Sequence, residues 1–162
     1  MRFNPEDVVQ NRADKLALIV EVPAGKCAIP LDQVVETLRP LPIESLAGIP
    51  DRVSGVALIR GTPVPVVDLG AVFAGSPQSP GGRWVTVRTG ERTVALSVER
   101  VIGIAEIPPS TLGTLPPLLK SGCADAIEAM GNLDRDLLVT LSLARLVPDS
   151  VWQALEPGEP SR

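Results

Sequence analysis

Histidine and tyrosine are both missing from this 162-residue chain, and aromatic residues make up only 2% of it. Without histidine, no side chain titrates near pH 7 at its ordinary pKa. The commonest metal ligand is also gone, and Ser-His and Cys-His nucleophile pairs cannot be built. With so few aromatics there is no stacking platform for sugars or single strands. Basic residues are in the minority, 15 Lys and Arg against 19 Asp and Glu, for a net charge of −4. Nucleic acid and anionic membrane both require basic surface, so neither is expected as a partner. Cysteine is limited to Cys27 and Cys123, which is no disulfide framework. The two read as small buried apolar residues in a reducing cytosol. A reactive thiol is the alternative, but no basic cluster lies near either one to lower its pKa.

Long apolar runs are lacking as well. The chain opens Met1-Arg2-Phe3-Asn4-Pro5 with no signal-peptide core, and no segment is long enough to span a bilayer, so a cytoplasmic location is expected. Gly81-Gly82 lacks the Lys-Ser/Thr of a phosphate loop. No Cys cluster suits zinc. Asp134 and Asp136 lack the glycine and glutamate of a calcium loop and read as a solvated turn. No carboxylate pair stands out for glycoside hydrolysis. The chain is therefore expected to carry no cofactor, no metal and no catalytic residue, and not to be an enzyme.

What the chain does have is 44% apolar residues, enough for a core, and 17 prolines with 14 glycines that cut it into short Val- and Ile-rich segments. That is the pattern of short strands. Asn4 with Pro5, Glu6 and Asp7 predicts a short helix in an N-terminal extension, residues 1–14. Strands are expected over 16–22 and 27–31, with Leu16, Leu18, Val20 and Val22 on one face. A helical turn or strand over 32–38 and a Pro-rich loop over 40–50 follow. A hairpin over 54–68 bends at Gly61-Thr62. Pro63 and Pro65 in its return arm call for an edge or a bulge, since proline cannot donate to a ladder. A loop over 74–82, a hairpin over 83–99 and a strand over 101–107 come next. In the hairpin's first arm Trp84 and Val85 alternate, so one of them is expected to face outward. After a loose stretch over 110–122, a hairpin over 124–141 is expected to turn near Gly131-Asn132. Helical turns are expected at 143–147 and 151–155. The domain is drawn as 15–148 and the C-terminal tail as 149–162, a short helix followed by disorder.

Two stretches match in pattern. Residues 27–34 and 94–101 are each an alternating apolar strand, then an acid, then a valine two residues later, and each follows a strand and turn. Chance similarity of amphipathic hairpins is one explanation. Duplication is the other, and it implies two small barrels sharing a core, which also leaves no exposed sheet edge.

The segment 53–69 is almost wholly apolar, with Arg60 at the hairpin turn and Asp68 at the exit. An arginine there is either a solvated turn residue or a guanidinium held by a carboxylate. Gly55, Val56, Arg60, Gly61, Pro65, Val66, Asp68 and Leu69 match the signature that runs Gly-Val-x-Asn-Leu-Arg-Gly, then Pro-Val-x-Asp-Leu. In this the chain resembles the CheW family of chemotaxis coupling proteins. The flanks agree: Ile29 to Glu36 resembles the family's second strand, 94–101 its Asp-x-Val segment with Glu99 as the acid, and 137–146 its closing strand. The resemblance covers about 15–147.

It implies an all-β fold of two SH3-like five-stranded barrels around a shared core, with short terminal helices. It implies a cytoplasmic adaptor, recruited to membrane-associated receptor arrays, that bridges the tips of methyl-accepting chemoreceptors to the regulatory domain of a CheA-type histidine kinase. The adaptor is expected as a monomer in isolation. Val34, Glu36, Gly55, Leu58 and Arg60 would belong to the kinase or receptor surfaces, with Glu36 and Arg60 paired. Val85, Val87 and Val98 would line a receptor groove between the barrels, or else be plain core. Leu58 stands where the family has Asn, Gly70 where it has Arg, and Ser142 where it has Asp. A divergent member that binds only one partner is therefore an alternative. A generic SH3-like peptide module is another, although Phe3, Phe73, Trp84 and Trp152 are too scattered for a proline-reading groove.

Overall fold

In a computed structural model, residues 16–23, 25–74, 82–107, 112–113, 127–133, 136–141 and 143–155 are described. The expected N-terminal helix, Phe3, Cys123, Ser142 and the end of the tail lie outside them.

The strands are β1 (Leu16–Val22), β2 (Gly25–Pro30), β3 (Val34–Leu38), β4 (Val53–Ile59), β5 (Thr62–Asp68), β6 (Arg83–Thr89), β7 (Arg92–Val98), β8 (Arg100–Glu106), β9 (Leu112–Gly113), β10 (Ile127–Leu133) and β11 (Asp136–Leu141). Helices α1 (Leu69–Ala74) and α2 (Asp149–Leu155) and two 3-10 turns, Leu31–Gln33 and Leu143–Arg145, complete the fold. The strands form two sheets. One is six-stranded, in the order β8-β1-β2-β11-β10-β9, and the other five-stranded, β3-β6-β7-β5-β4. The expected five strands per unit hold in the second sheet, while two-residue β9 adds a sixth to the first.

The sheets share one plan. Each is centred on a tight hairpin, β1–β2 or β6–β7, paired antiparallel. The second strand of each hairpin pairs parallel with the last strand of another hairpin, β2 with β11 and β7 with β5. The strand that leaves each hairpin crosses to the other sheet, so β3 pairs with β6 and β8 with β1. The two matching stretches of sequence are thus β2 with its exit and β7 with its exit. Neither sheet is one half of the chain: the six-stranded sheet combines hairpin β1–β2 with four later strands, β8 to β11, and the five-stranded sheet combines hairpin β6–β7 with three earlier ones, β3 to β5.

This exchange explains the burial. Leu18, Val20 and Val22 of β1 and Cys27 and Ile29 of β2 pack with Val85 and Val87 of β6 and Val94, Leu96 and Val98 of β7 in one core between the sheets. The alternate residues serve each sheet's own interior. Ala17, Ile19 and Ala28 cluster with Ile107, and Ala57, Ile59, Val64 and Val66 cluster with Trp84 and Ala95. Trp84 and Val85 are therefore both buried, one in each core, and neither faces outward. Alternation assigns the two faces of a strand but does not say that one of them is wet.

Local differences from expectation have local causes. Asp68 caps α1, its Oδ1 accepting from the Ala71 N–H at 3.2 Å, and α1 fills the stretch between the 54–68 hairpin and the 74–82 loop, where no element was expected. Gly131 and Asn132 lie inside β10, opposite Leu138 and Leu137 of β11. The bulge of the 53–68 hairpin is on β4, between Val53 and Gly55, while β5 meets the prolines by pairing with β7 only from Val66 onward. Helix α2 is part of the folded body, with Val151 fully buried in the shared core. Arg52 ties this end down, donating from Nε to the Leu146 carbonyl at 2.8 Å and from Nη2 to that of Arg145 at 3.2 Å. Among the described residues no helix is long and apolar enough to cross a membrane.

Candidate protein-interaction surface

The turn between β4 and β5 is two residues long, Arg60-Gly61, closing the Ile59–Thr62 pair. Both residues have positive φ, +53° and +81°, the type I′ geometry that fits the twist of a hairpin. Asn-Gly is the usual sequence for it, because a longer side chain crowds its own backbone in the left-handed region. Arg60 is the only non-glycine with positive φ among the described residues. A residue kept in a strained conformation is a pointer to function.

The guanidinium of Arg60 meets the carboxylate of Glu36 in a two-pronged pair, Nε to Oε2 at 3.0 Å and Nη2 to Oε1 at 3.0 Å. The hydrogen bonds from Arg60 hold the Glu36 carboxyl below its ordinary pKa and raise that of Arg60. Glu36 is aimed from below. Thr86, buried on β6, accepts from the Glu36 N–H and donates to its carbonyl, both at 3.2 Å. The β3–β6 ladder slips between Val34 and Glu36, leaving Val35 as the extra residue of a bulge. Bulges re-aim side chains in this way. Because β3 is one edge of the five-stranded sheet and β4 the other, the pair draws the two edges together.

Exposed apolar side chains flank it. Leu58 on β4 is 65% exposed and Val35 on β3 is 53% exposed, with Leu41 and Ile43 exposed on the segment between these strands. Arg60 itself is 77% exposed. Apolar anchors beside a fixed charged pair are the composition of a protein contact. A second exposed pair, Ile102 and Ile104, lies on β8 at the edge of the other sheet. Residue alternation on an edge strand was the signal for it, but nothing in the sequence marked β8 as an edge.

The remaining candidates fall elsewhere. Val34 is half-buried against the shared core. Gly55 is buried, and a Cβ on it would lie 2.2 Å from the Glu44 carbonyl oxygen. Glu44 pairs there with Val56 through two 2.8 Å backbone hydrogen bonds. Gly55 therefore permits a close crossing of backbones and presents no surface. Val85, Val87 and Val98 lie between the sheets as expected of a groove, but at 0%, 0% and 2% exposure they are core. Their strands are covered on both faces, which is why a surface reading fails for them. Among the described residues no group of acids and cysteines is arranged to hold a metal. Cys27 is fully buried, and burial pushes its thiol up to about 12, so it is not a nucleophile at neutral pH.

Comparisons with known proteins agree on one relationship. The model of the CheW-like domain matches residues 16–151. A chemotaxis protein CheA from Cereibacter sphaeroides is 36% identical over 83 residues, 51% of this chain and 10% of that protein. The chain thus spans about a tenth of the length of that relative. The crystal structure of the scaffolding protein TtCheW from Thermoanaerobacter tengcongensis superposes with a TM-score of 0.67 at 18% identity, covering 80% of this chain and 89% of that one.

Proposed function

This chain belongs to the CheW-like domain family, and from that premise we infer that it is a non-catalytic scaffold coupling chemoreceptors to a CheA-type histidine kinase. The observation that carries the reading to particular residues is the Glu36–Arg60 pair, set on a strained turn between exposed Val35 and Leu58. The pair fixes β3 against the β4–β5 turn, so both apolar residues are presented in one geometry with little ordering left to do on binding. We assign this face to the kinase regulatory domain. The similarity to a stretch of a CheA protein supports the assignment, since it suggests that the partner contains a domain of the same build.

The receptor tip is assigned to the second exposed apolar site, Ile102 and Ile104 on β8. Two contacts on opposite sheets let one molecule bridge two partners. Weak contacts of this size gain strength when receptors are clustered, through effective concentration. The protein works in the cytoplasm at membrane-associated arrays, as a monomer when isolated, with no chemistry of its own.

The test is a pull-down from cell lysate with the purified protein beside Arg60→Ala and Ile104→Glu. Recovery of a histidine kinase that Arg60→Ala loses, and of a chemoreceptor that Ile104→Glu loses, is the expected result. Kinase without receptor from the wild type identifies an adaptor serving one partner only. Recovery of neither by a folded wild type contradicts the coupling role.

A further inference from the structure

A pocket of about 280 Å³ opens beside the Arg60-Gly61 turn, between the start of β5, the start of β7 and helix α2. Its cause is in the sequence. Strands β5 and β7 run parallel but pair only from Val66 and Ala95 onward. Before that point β5 carries Pro63 and Pro65, which have no N–H to give, so the ladder cannot extend and the strands leave a gap. Pro63, Val64, Trp152 and Leu155 supply its apolar lining. Trp152 is held in place by Arg92, whose guanidinium lies 4.9 Å from the ring centroid and 3.9 Å from Asp149.

Size and charge identify the occupant. The volume falls just below the roughly 300–1,000 Å³ of small-molecule sites, and suits a single side chain. The apolar lining calls for an uncharged one. At the rim Arg92 is already engaged, whereas Glu91 is exposed and has no ion-pair partner among the described residues. The unbalanced charge is therefore negative. Thr62 follows directly on Arg60-Gly61, so the pocket continues the face assigned above.

We propose that this pocket is an anchor site for one apolar side chain, flanked by a lysine or arginine, from the kinase regulatory domain. The proposal rests on the coupling role and adds a second point of attachment to the face around Arg60. The anchor fills the gap that the prolines leave, and its basic neighbour meets Glu91.

The test is calorimetric titration of the full chain with the regulatory domain of the kinase recovered by the pull-down. Thr93→Phe fills the pocket, and Glu91→Lys reverses its unpaired charge. Both positions are accessible, and unchanged thermal unfolding checks the fold of each variant. The expected result is a loss of about tenfold in affinity for Thr93→Phe, and a smaller loss for Glu91→Lys that shrinks with added salt. In a Trp84→Phe background, Trp152 is the sole tryptophan, and its emission shifts to the blue on binding. If that core variant does not fold, the affinities alone decide. Equal binding by wild type and Thr93→Phe overturns the pocket and leaves the coupling role standing. A Trp152 shift that depends on protein concentration without kinase assigns the pocket to a second copy and also overturns it. Failure of the wild type to bind any kinase removes the coupling role and this proposal with it.

Discussion

The strands β3 and β8 occupy the same place in their two sheets, each added to the first strand of a central hairpin, yet they are secured differently. On β8, Arg100 pairs with Glu21, its direct neighbour across the β1–β8 ladder. On β3, Glu36 reaches past the ladder to Arg60, which belongs to the opposite edge of the sheet. The first pair decorates a contact that the backbone already makes. The second joins strands that share no backbone hydrogen bonds. An ion pair between exposed groups adds little to stability in either place. What the second adds is position: it determines where Val35 and Leu58 stand relative to each other. One fold plan, used twice, thus has one edge pinned across the sheet by a side-chain pair and one secured along its own ladder.

The sharpest break in the comparison is at glycine. Gly55 and Gly103 both have φ near +150°, at +147° and +156°. The space around them differs: a Cβ on Gly55 strikes the backbone of Glu44, whereas one on Gly103 meets nothing within 4 Å. Gly55→Ala is expected to cost more than about 3 kcal/mol by chemical denaturation. Gly103→Ala should cost about 1–2 kcal/mol, from backbone strain alone. Equal costs would mean that the crossing at Glu44 does not hold β4 in place.

Core substitutions come next. Leu96 is fully buried between the sheets, and Leu96→Ala should cost about 3 kcal/mol. Ile19 lies in the small interior of the six-stranded sheet among alanines, and Ile19→Ala should cost nearer to about 2 kcal/mol. If Ile19→Ala costs more, the shared core is not the main source of stability.

Two smaller effects depend on pH. The Cys27 thiol is raised from 9.0 to about 12 on folding. The stability linked to its neutral form is fully present below pH 9 and is lost as the pH rises toward 12. Cys27→Ala should flatten that alkaline decline, and alkylation of native Cys27 at pH 8 should be limited by unfolding. Glu36 has a lowered pKa. The contribution of its pair is present above the ordinary carboxylate pKa and is lost as the pH falls through the lowered value. Kinase binding should hold through mild acid and weaken below that range, and Glu36→Gln should remove this acid limb.

Much of this was legible in the residues. Alternation placed β1, β6 and β7 to within about a residue, because each is a short segment with apolar residues at every second position between clear turns. The sequence marked Arg60 as an arginine that must meet a carboxylate or water, and the family resemblance implied Glu36 as the partner it has in the structure. The strand exchange was not legible. A two-residue period fixes which side chains share a face, but not which strand lies alongside. For the same reason Val85, Val87 and Val98 read equally as groove or core until the second sheet was seen to cover them. Helix α1 was hidden because six residues are too few to show a helical period, although Asp68 was a visible cap.

The most direct test of the account is a charge exchange across the pair, read as affinity for the kinase regulatory domain. Glu36→Arg and Arg60→Glu should each lower affinity by about tenfold, and the double exchange should bring it back to within about threefold of wild type. That outcome would establish the pair as a positioning device. Unchanged affinity in the single variants, or a double variant no better than either, would contradict it.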